Sequence, residues 1–152
     1  MLKYIKNDNS LDTELGLNQS SMVIDPLLKE ALALSILPCL KDEKRNRLFY
    51  TLWIVIDKVK NSLVADLCFQ GEPNKQGEIE IGYATYPQYQ GQGYMTEAVQ
   101  CITNWAIHQA NVKAVMASTD KTNIASYTVL EKNAFVKVGQ SKQQFHWCFT
   151  AR

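Results

Sequence analysis

The chain of 152 residues carries almost no net charge, 16 Lys and Arg against 15 Asp and Glu. Nothing in that balance calls for a nucleic-acid or anionic-membrane partner. Histidines number two and cysteines four. Cys39, Cys68, Cys101 and Cys148 lie far apart with no CxxC pair, which excludes a recognisable zinc site or other metal-ligand set and fits reduced thiols in a cytoplasm. No apolar run reaches membrane-spanning length. Lys3, Lys6 and Asp8 interrupt the first residues, so no signal peptide is expected there. Internal repeats and low-complexity segments are also missing. The length suits one domain over residues 1–152, with a core that needs no disulfide or metal. Composition thus leads to the expectation of a soluble, cytoplasmic α/β or α+β domain, monomeric or homodimeric.

What the sequence does contain is a joint between two clear periodicities. Glu78-Ile79-Glu80-Ile81-Gly82-Tyr83 alternates polar and apolar residues, the pattern of a half-buried strand. Met95, Ala98, Val99, Ile102, Trp105 and Ala106 then recur at three- and four-residue spacing, one stripe of an amphipathic helix. Gly91 and Gly93 sit between them. A helix N-terminus offers unpaired N–H groups and a positive dipole end, and glycine lets a ligand approach the backbone closely. A phosphate-bearing ligand at residues 90 to 95 is therefore expected. The stretch lacks the third glycine of a dinucleotide fingerprint and the Lys-Ser/Thr pair of a P-loop.

The other elements follow from composition and punctuation. Residues 1 to 24 are weakly patterned, with a short strand within Met1–Ile5 or Glu14–Leu17 as one reading. Asp25-Pro26 reads as a helix N-cap and first position, and the helix runs to about Leu37 with Pro38 closing it. Strands are expected at Leu48–Ile56, Ser62–Phe69 and Glu78–Thr85, joined as an antiparallel meander. A helix from about Gly93 to Gln109 follows, then a strand at Ala114–Thr119, a helix at Asn123–Lys132, and strands at Phe135–Gln140 and Phe145–Thr150.

Gln88-Tyr89-Gln90-Gly91-Gln92-Gly93 resembles the Gln/Arg-x-x-Gly-x-Gly/Ala acyl-CoA loop of the GNAT family of N-acetyltransferases. A later run, Asn123 to Ser126 with Glu131-Lys132-Asn133-Ala134-Phe135, resembles that family's Asn-x-x-Ser/Ala and Glu-Lys-x-Gly-Phe motif. Ala134 replaces the usual glycine, and Asn133 is expected to take the left-handed, helix-ending role instead. The Gly-Tyr-Met-Thr-Glu-Ala run looks most like the branch that acetylates ribosomal-protein N-termini. The resemblance covers roughly residues 48 to 140. It implies a mixed, mostly antiparallel sheet of six to seven strands with helices on both faces, its fourth and fifth strands splayed to admit the pantetheine arm. It also implies acetyl-CoA held by Gln88, Gln90, Gly91, Gln92, Gly93, Tyr94, Met95, Asn123 and Ser126.

The implied reaction moves an acetyl group from a thioester to a primary amine, foremost a protein or peptide N-terminal α-amine. A small-molecule amine as acceptor, or a non-catalytic acyl-CoA-binding module, are the alternatives. Many members of the family use a tyrosine seven residues after the motif's asparagine to protonate the leaving thiolate. Leu130 stands there, and the resemblance to the ribosomal-protein branch passes the role to Ser126. A helix back-bond is the plainer reading of that hydroxyl. Base candidates are Glu80 and Glu78 on one strand face, Glu80 the nearer to a bulge expected at Gly82; solvent exposure of both, with water taking the proton, is the alternative. Glu97 suits the helix dipole. His108 reads as a flank residue, and His146 as equally an outward-facing or a catalytic one. Tyr83, Tyr86 and Tyr89 are candidates to line the acyl or acceptor site, with packing near a strand end the plainer reading, and Tyr127 reads as packing.

Overall fold

The computed structural model describes residues 1–6, 8–18, 24, 26–40, 42–43 and 45–151. A six-stranded sheet organises it, with spatial order β1-β2-β3-β4-β6-β5. The strands are β1 Leu52–Asp57, β2 Ser62–Phe69, β3 Glu78–Thr85, β4 Ala114–Asp120, β5 Val136–Gln140 and β6 Gln144–Thr150. Neighbouring strands are antiparallel except β3 and β4, which run parallel. That single parallel contact follows from the long crossover through α5, Tyr94–Ile107, because parallel strands cannot be joined by a tight turn.

Alternation along the strands gives the sheet two faces with different covers. Leu67, Phe69, Ile79, Ile81, Val115 and Ala117 share a core with Met95, Val99, Ile102 and Ala106 of α5 and with Leu130 of α6, Ile124–Lys132. Val99 and Leu130 are fully buried, and each such side chain contributes about 1.5–3 kcal/mol relative to exposure. The opposite face is covered at its β1–β2 end by the N-terminal helices α1, Leu2–Lys6, and α2, Ser10–Leu15, and by the π-helical turn Leu32–Ile36 that follows α3, Pro26–Ala31, while Cys39 of the next helix α4, Leu37–Cys39, packs against the first core. Tyr4, Ile24, Leu32, Leu63 and Tyr86 form its core. Among the described residues no helix is long and apolar enough to cross a membrane.

Several expectations are corrected. Met1–Ile5 and Glu14–Leu17 form no strand; they belong to short helices and the turn after them. Helices of five and six residues are marginal alone, and α1 is fixed by tertiary contact, Tyr4 donating its hydroxyl proton to Asp66 Oδ2 at 2.7 Å. Pro38 does not end the third helical run, which reaches Cys39; a proline without an N–H is tolerated where a π-helical turn has just changed the hydrogen-bond register. Asp25, read as that run's N-cap, lies outside the described residues, as do the side chains of Leu27, Leu28 and Ala31. Residues 47–50 form a 3-10 turn rather than the start of β1, because Asn46 Oδ1 accepts from Leu48 N.

Two further corrections bear on the site. The β2–β3 register is unbroken across Gly82, which pairs with Cys68, so no bulge occurs there; the register shifts lie instead between β1 and β2, where Val64 is the extra residue opposite Val55 and Ile56, and between β5 and β6, where Val138 is. At the end of α6 the left-handed residue is Ala134, at φ 60°, while Asn133 has φ −96°. The Asn133 side chain is used otherwise, donating to Thr96 O and Val129 O at 3.1 and 2.9 Å and tying α6 to α5.

Candidate active site

The sheet opens where β3 leaves β4. The two strands pair only through Glu78↔Ala114, Ile79↔Val115 and Glu80↔Met116. Beyond that point residues 81–85 of β3 bond only to β2, and residues 117–120 of β4 only to β6. The opening lies between the third and fourth strands, not the fourth and fifth, because no strand precedes β1 among the described residues. Two strand edges thus present main-chain donors and acceptors to a cleft rather than to each other.

A cavity of about 500 Å³ lies on the α5/α6 face, against residues 83–85 of β3 beyond the point where that strand leaves β4. Gln90, Gly91, Gly93, Tyr94, Met95, Asn123 and Ser126 all line it, bringing together two motifs that lie some thirty residues apart in the chain. Gln88 and Gln92 do not line it. Gln92 instead donates to Gln88 O at 3.0 Å and accepts from Lys60 Nζ at 2.8 Å. Lys60 also reaches Tyr94 Oη at 2.9 Å, and Tyr94 donates to Asp57 Oδ2. The β1–β2 hairpin therefore braces the glycine loop, a role sequence reasoning missed because the partners lie more than thirty residues apart. The signal in the sequence is charge, Asp57 and Lys60 in the turn of the first two meander strands.

The two helix starts differ in their capping. Asn123 Oδ1 accepts from Ser126 N at 3.0 Å and closes the start of α6. Among the described residues no side chain caps α5, whose N-cap is Gly93, so its first amides are open to a ligand. Gly91 and Gly93 have φ of +73° and +88°, and a Cβ at either would meet nothing within 4 Å. Their left-handed conformation shapes the turn, while the space above them stays open. Lys132 is the only charged side chain lining the cavity among the described residues. Open backbone, uncapped amides and one cation fit the phosphates of acetyl-CoA, and the strand cleft fits its amide-bearing arm.

Deeper in the cavity lie Ser126 and Tyr83. Ser126 Oγ donates to Tyr83 Oη, and Tyr83 Oη donates to the main-chain oxygen of Ser126, both at 3.0 Å. Burial pushes the Tyr83 phenol up to about 12, against a smaller lowering by the Ser126 hydrogen bond. Tyr127, by contrast, packs against Trp147 and Phe145, as read from the sequence.

Glu80 occupies the other side of the opening. It is the last residue of β3 paired to β4, and it lines a smaller cavity, about 250 Å³, with Glu78, Ser118 and His146. Among the described residues its carboxylate has no hydrogen-bond or ion-pair partner, whereas Glu78 accepts from Asn74 Nδ2 at 2.9 Å. His146 Nδ1 lies 3.2 Å from Ser118 Oγ, so it faces this cavity. His108 is exposed at the end of α5, its Nδ1 2.7 Å from Asn104 O, and Glu97 is an exposed first-turn residue.

Residues 22–136 match the family described as Acetyltransferase (GNAT) domain. YjdG, an uncharacterized N-acetyltransferase of Bacillus subtilis (strain 168), is 33% identical over 100 residues, 66% of this chain and 60% of YjdG. The chain spans between 35% and 60% of the length of the curated relatives it matches. Among solved structures, the ribosomal-protein-S5-alanine acetyltransferase of Vibrio fischeri is similar with a TM-score of 0.61 at 23% identity, over 65% of this chain and 60% of that one. The microcin C7 self-immunity acetyltransferase MccE, solved with acetyl-CoA and AMP, is similar over 99% of this chain and 89% of its own, with a TM-score of 0.66 at 16% identity. At such identities these two structures speak for the fold alone.

Proposed function

The chain belongs to the GNAT acetyltransferase family, and from that premise we propose that it is an N-acetyltransferase that uses acetyl-CoA to acetylate a primary amine. One observation carries this reading: β3 borders two cavities of opposite character, one at Tyr83–Thr85 and one at Glu78 and Glu80, on either side of the point where it leaves β4. The larger has uncapped helix amides, open glycines and Lys132, suited to phosphate. The smaller has a carboxylate without a partner among the described residues, suited to an ammonium.

Bound acetyl-CoA supplies an activated acyl group whose carbonyl is open to attack by an amine. The chain's residues do the rest. The first amides of α5 and the turn at Gly91 and Gly93 hold the pyrophosphate, with Lys132 adding positive charge. Gln90, Tyr94, Met95 and Asn123 shape the channel, and Gln88 and Gln92 support the loop from outside it. The free edges of β3 and β4 fix the arm by main-chain hydrogen bonds, which places the acyl carbon at the opening. Glu80, directly or through one water, takes a proton from the acceptor ammonium, since only the neutral amine has a lone pair for attack. On the other side the Ser126 hydroxyl stands where the leaving sulfur emerges.

For the acceptor we favour a peptide or protein N-terminal α-amine. Its reference pKa of about 8 makes a single carboxylate a sufficient base, where a lysine at about 10.4 demands more. A small cationic amine is the second reading, favoured by Glu78 and Glu80 lining one cavity of about 250 Å³. A free-thiol release assay across N-terminal peptides, polyamines and aminoglycosides decides among these. Thiol release with peptides supports the first reading, and release with polyamines alone moves the acceptor to the second. CoA binding without release from any amine leaves an acyl-CoA-binding module.

A further inference from the structure

We propose that Tyr83 is the residue that protonates the leaving sulfur, with Ser126 positioning its phenol. The inference rests on the acetyl-transfer reading above and assigns a role to a side chain whose sequence context left packing and the lining of the acyl or acceptor site both open.

Tyr83 and Ser126 line the same cavity, on the face of β3 opposite Glu80. The amine approaches the acyl carbon from one side and the sulfur departs on the other, so base and acid belong on opposite faces of the opening, and these residues are so placed. Between the two hydroxyls, chemistry favours the phenol. An aliphatic hydroxyl is a far weaker acid than a phenol, and giving its proton to a thiolate is correspondingly more uphill. Tyr83 keeps its proton at neutral pH and remains the stronger acid of the pair even after burial. Ser126 also has its proton committed to Tyr83 Oη. The Tyr83 proton rests on the Ser126 main-chain oxygen, which lies inside α6 and already accepts the helical bond from residue 130. That carbonyl stays satisfied when the phenol turns away, so the proton is cheap to release.

The step balances. The amine nitrogen forms its bond to the acyl carbon as the C–S bond breaks and its electron pair passes to sulfur. Tyr83 gives the phenolic proton to that sulfur, and the tyrosinate regains one from water. The proton lost by the amine leaves through Glu80 or water on the other face. Ser126, donating to Tyr83 Oη, stabilises the transient phenolate charge.

The test is the thiol pKa of CoA bound to the intact chain. It is read from thiolate ultraviolet absorbance as the difference between the CoA and desulfo-CoA complexes. A phenol that donates to sulfur stabilises the thiolate and lowers this pKa. Tyr83→Phe is expected to raise it by about one unit, the size of one hydrogen bond to a charged acceptor, with CoA affinity within about threefold. Ser126→Ala is expected to raise it less, and turnover should fall about 10²-fold for Tyr83→Phe, the lower range for acid catalysis, and by less for Ser126→Ala. An unchanged thiol pKa in Tyr83→Phe, or a larger loss of turnover in Ser126→Ala, overturns the assignment while leaving acetyl transfer standing. Should Tyr83→Phe not fold, a thiol pKa shift of a full unit in Ser126→Ala overturns it and a small one upholds it. Failure of the wild-type chain to bind CoA overturns both.

Discussion

Ala134→Gly should stabilise the protein, and the size of the gain can be worked from the end of α6. Ala134 N donates to Glu131 O at 3.1 Å and Phe135 N to Leu130 O at 3.0 Å, the two bonds of a Schellman motif with Ala134 at its left-handed position. Phe135 and Leu130, 4% and 0% exposed, make the hydrophobic contact that accompanies such an ending. The motif is thus complete except for its residue type. An L-residue at φ 60° costs roughly 1–2 kcal/mol. Glycine removes that strain but adds about 0.4–1 kcal/mol of unfolded-state entropy. Ala134 is exposed, so losing its methyl forfeits no packing. The net gain is about 0.5–1 kcal/mol, or roughly 1–4 °C in Tm for a domain of this size. Urea denaturation should show a higher midpoint at unchanged m-value. A midpoint equal to or below wild type would refute the strain argument.

Glu80→Gln keeps shape and hydrogen-bonding reach but cannot accept a proton. Its turnover with a peptide acceptor should fall at neutral pH and recover partly at higher pH, where the α-amine deprotonates unaided; a pH–rate profile parallel to wild type would remove Glu80 as base. Asp66 is 3% exposed, and burial raises its pKa against a lowering hydrogen bond from Tyr4. A raised folded-state pKa means its contribution to stability is full below the ordinary carboxylate range and is lost as pH rises through the folded value. Asp66→Asn keeps an acceptor for Tyr4 without titrating, so it should gain on wild type as pH rises from about 4 to neutral. Denaturation midpoints that run parallel across that range would contradict this.

From β1 onward the architecture was legible, because period-two and period-3.6 patterns in this part of the chain mark elements buried on one face. The 500 Å³ cavity was legible for the same reason: its glycine loop and its Asn123–Ser126 turn are both local in sequence. What escaped was long-range. α1 exists through a Tyr4–Asp66 hydrogen bond spanning 62 residues, and no cap or periodicity of its own announces it. Tyr83 looked like packing because Ser126, 43 residues on, gives its hydroxyl a purpose. The misplaced left-handed residue had a different cause. Asn is the better αL former, but Asn133 holds α5 through Thr96 O, and that contact outweighs the local preference.

The central claim is that the glycine turn and the uncapped start of α5 hold the cofactor's phosphates, and calorimetric titration of CoA into wild type and Gly91→Val tests it most directly. A Cβ at Gly91 meets nothing within 4 Å, so bulk added there intrudes on ligand space; a side chain at φ +73° also strains the turn by roughly 1–2 kcal/mol, a cost confined to the loop, and circular dichroism should show native structure. Loss of one charge-assisted hydrogen bond, about 1.5–3 kcal/mol, predicts affinity lower by about tenfold to a hundredfold. Wild-type affinity in a folded Gly91→Val protein would place the phosphates elsewhere and contradict the account.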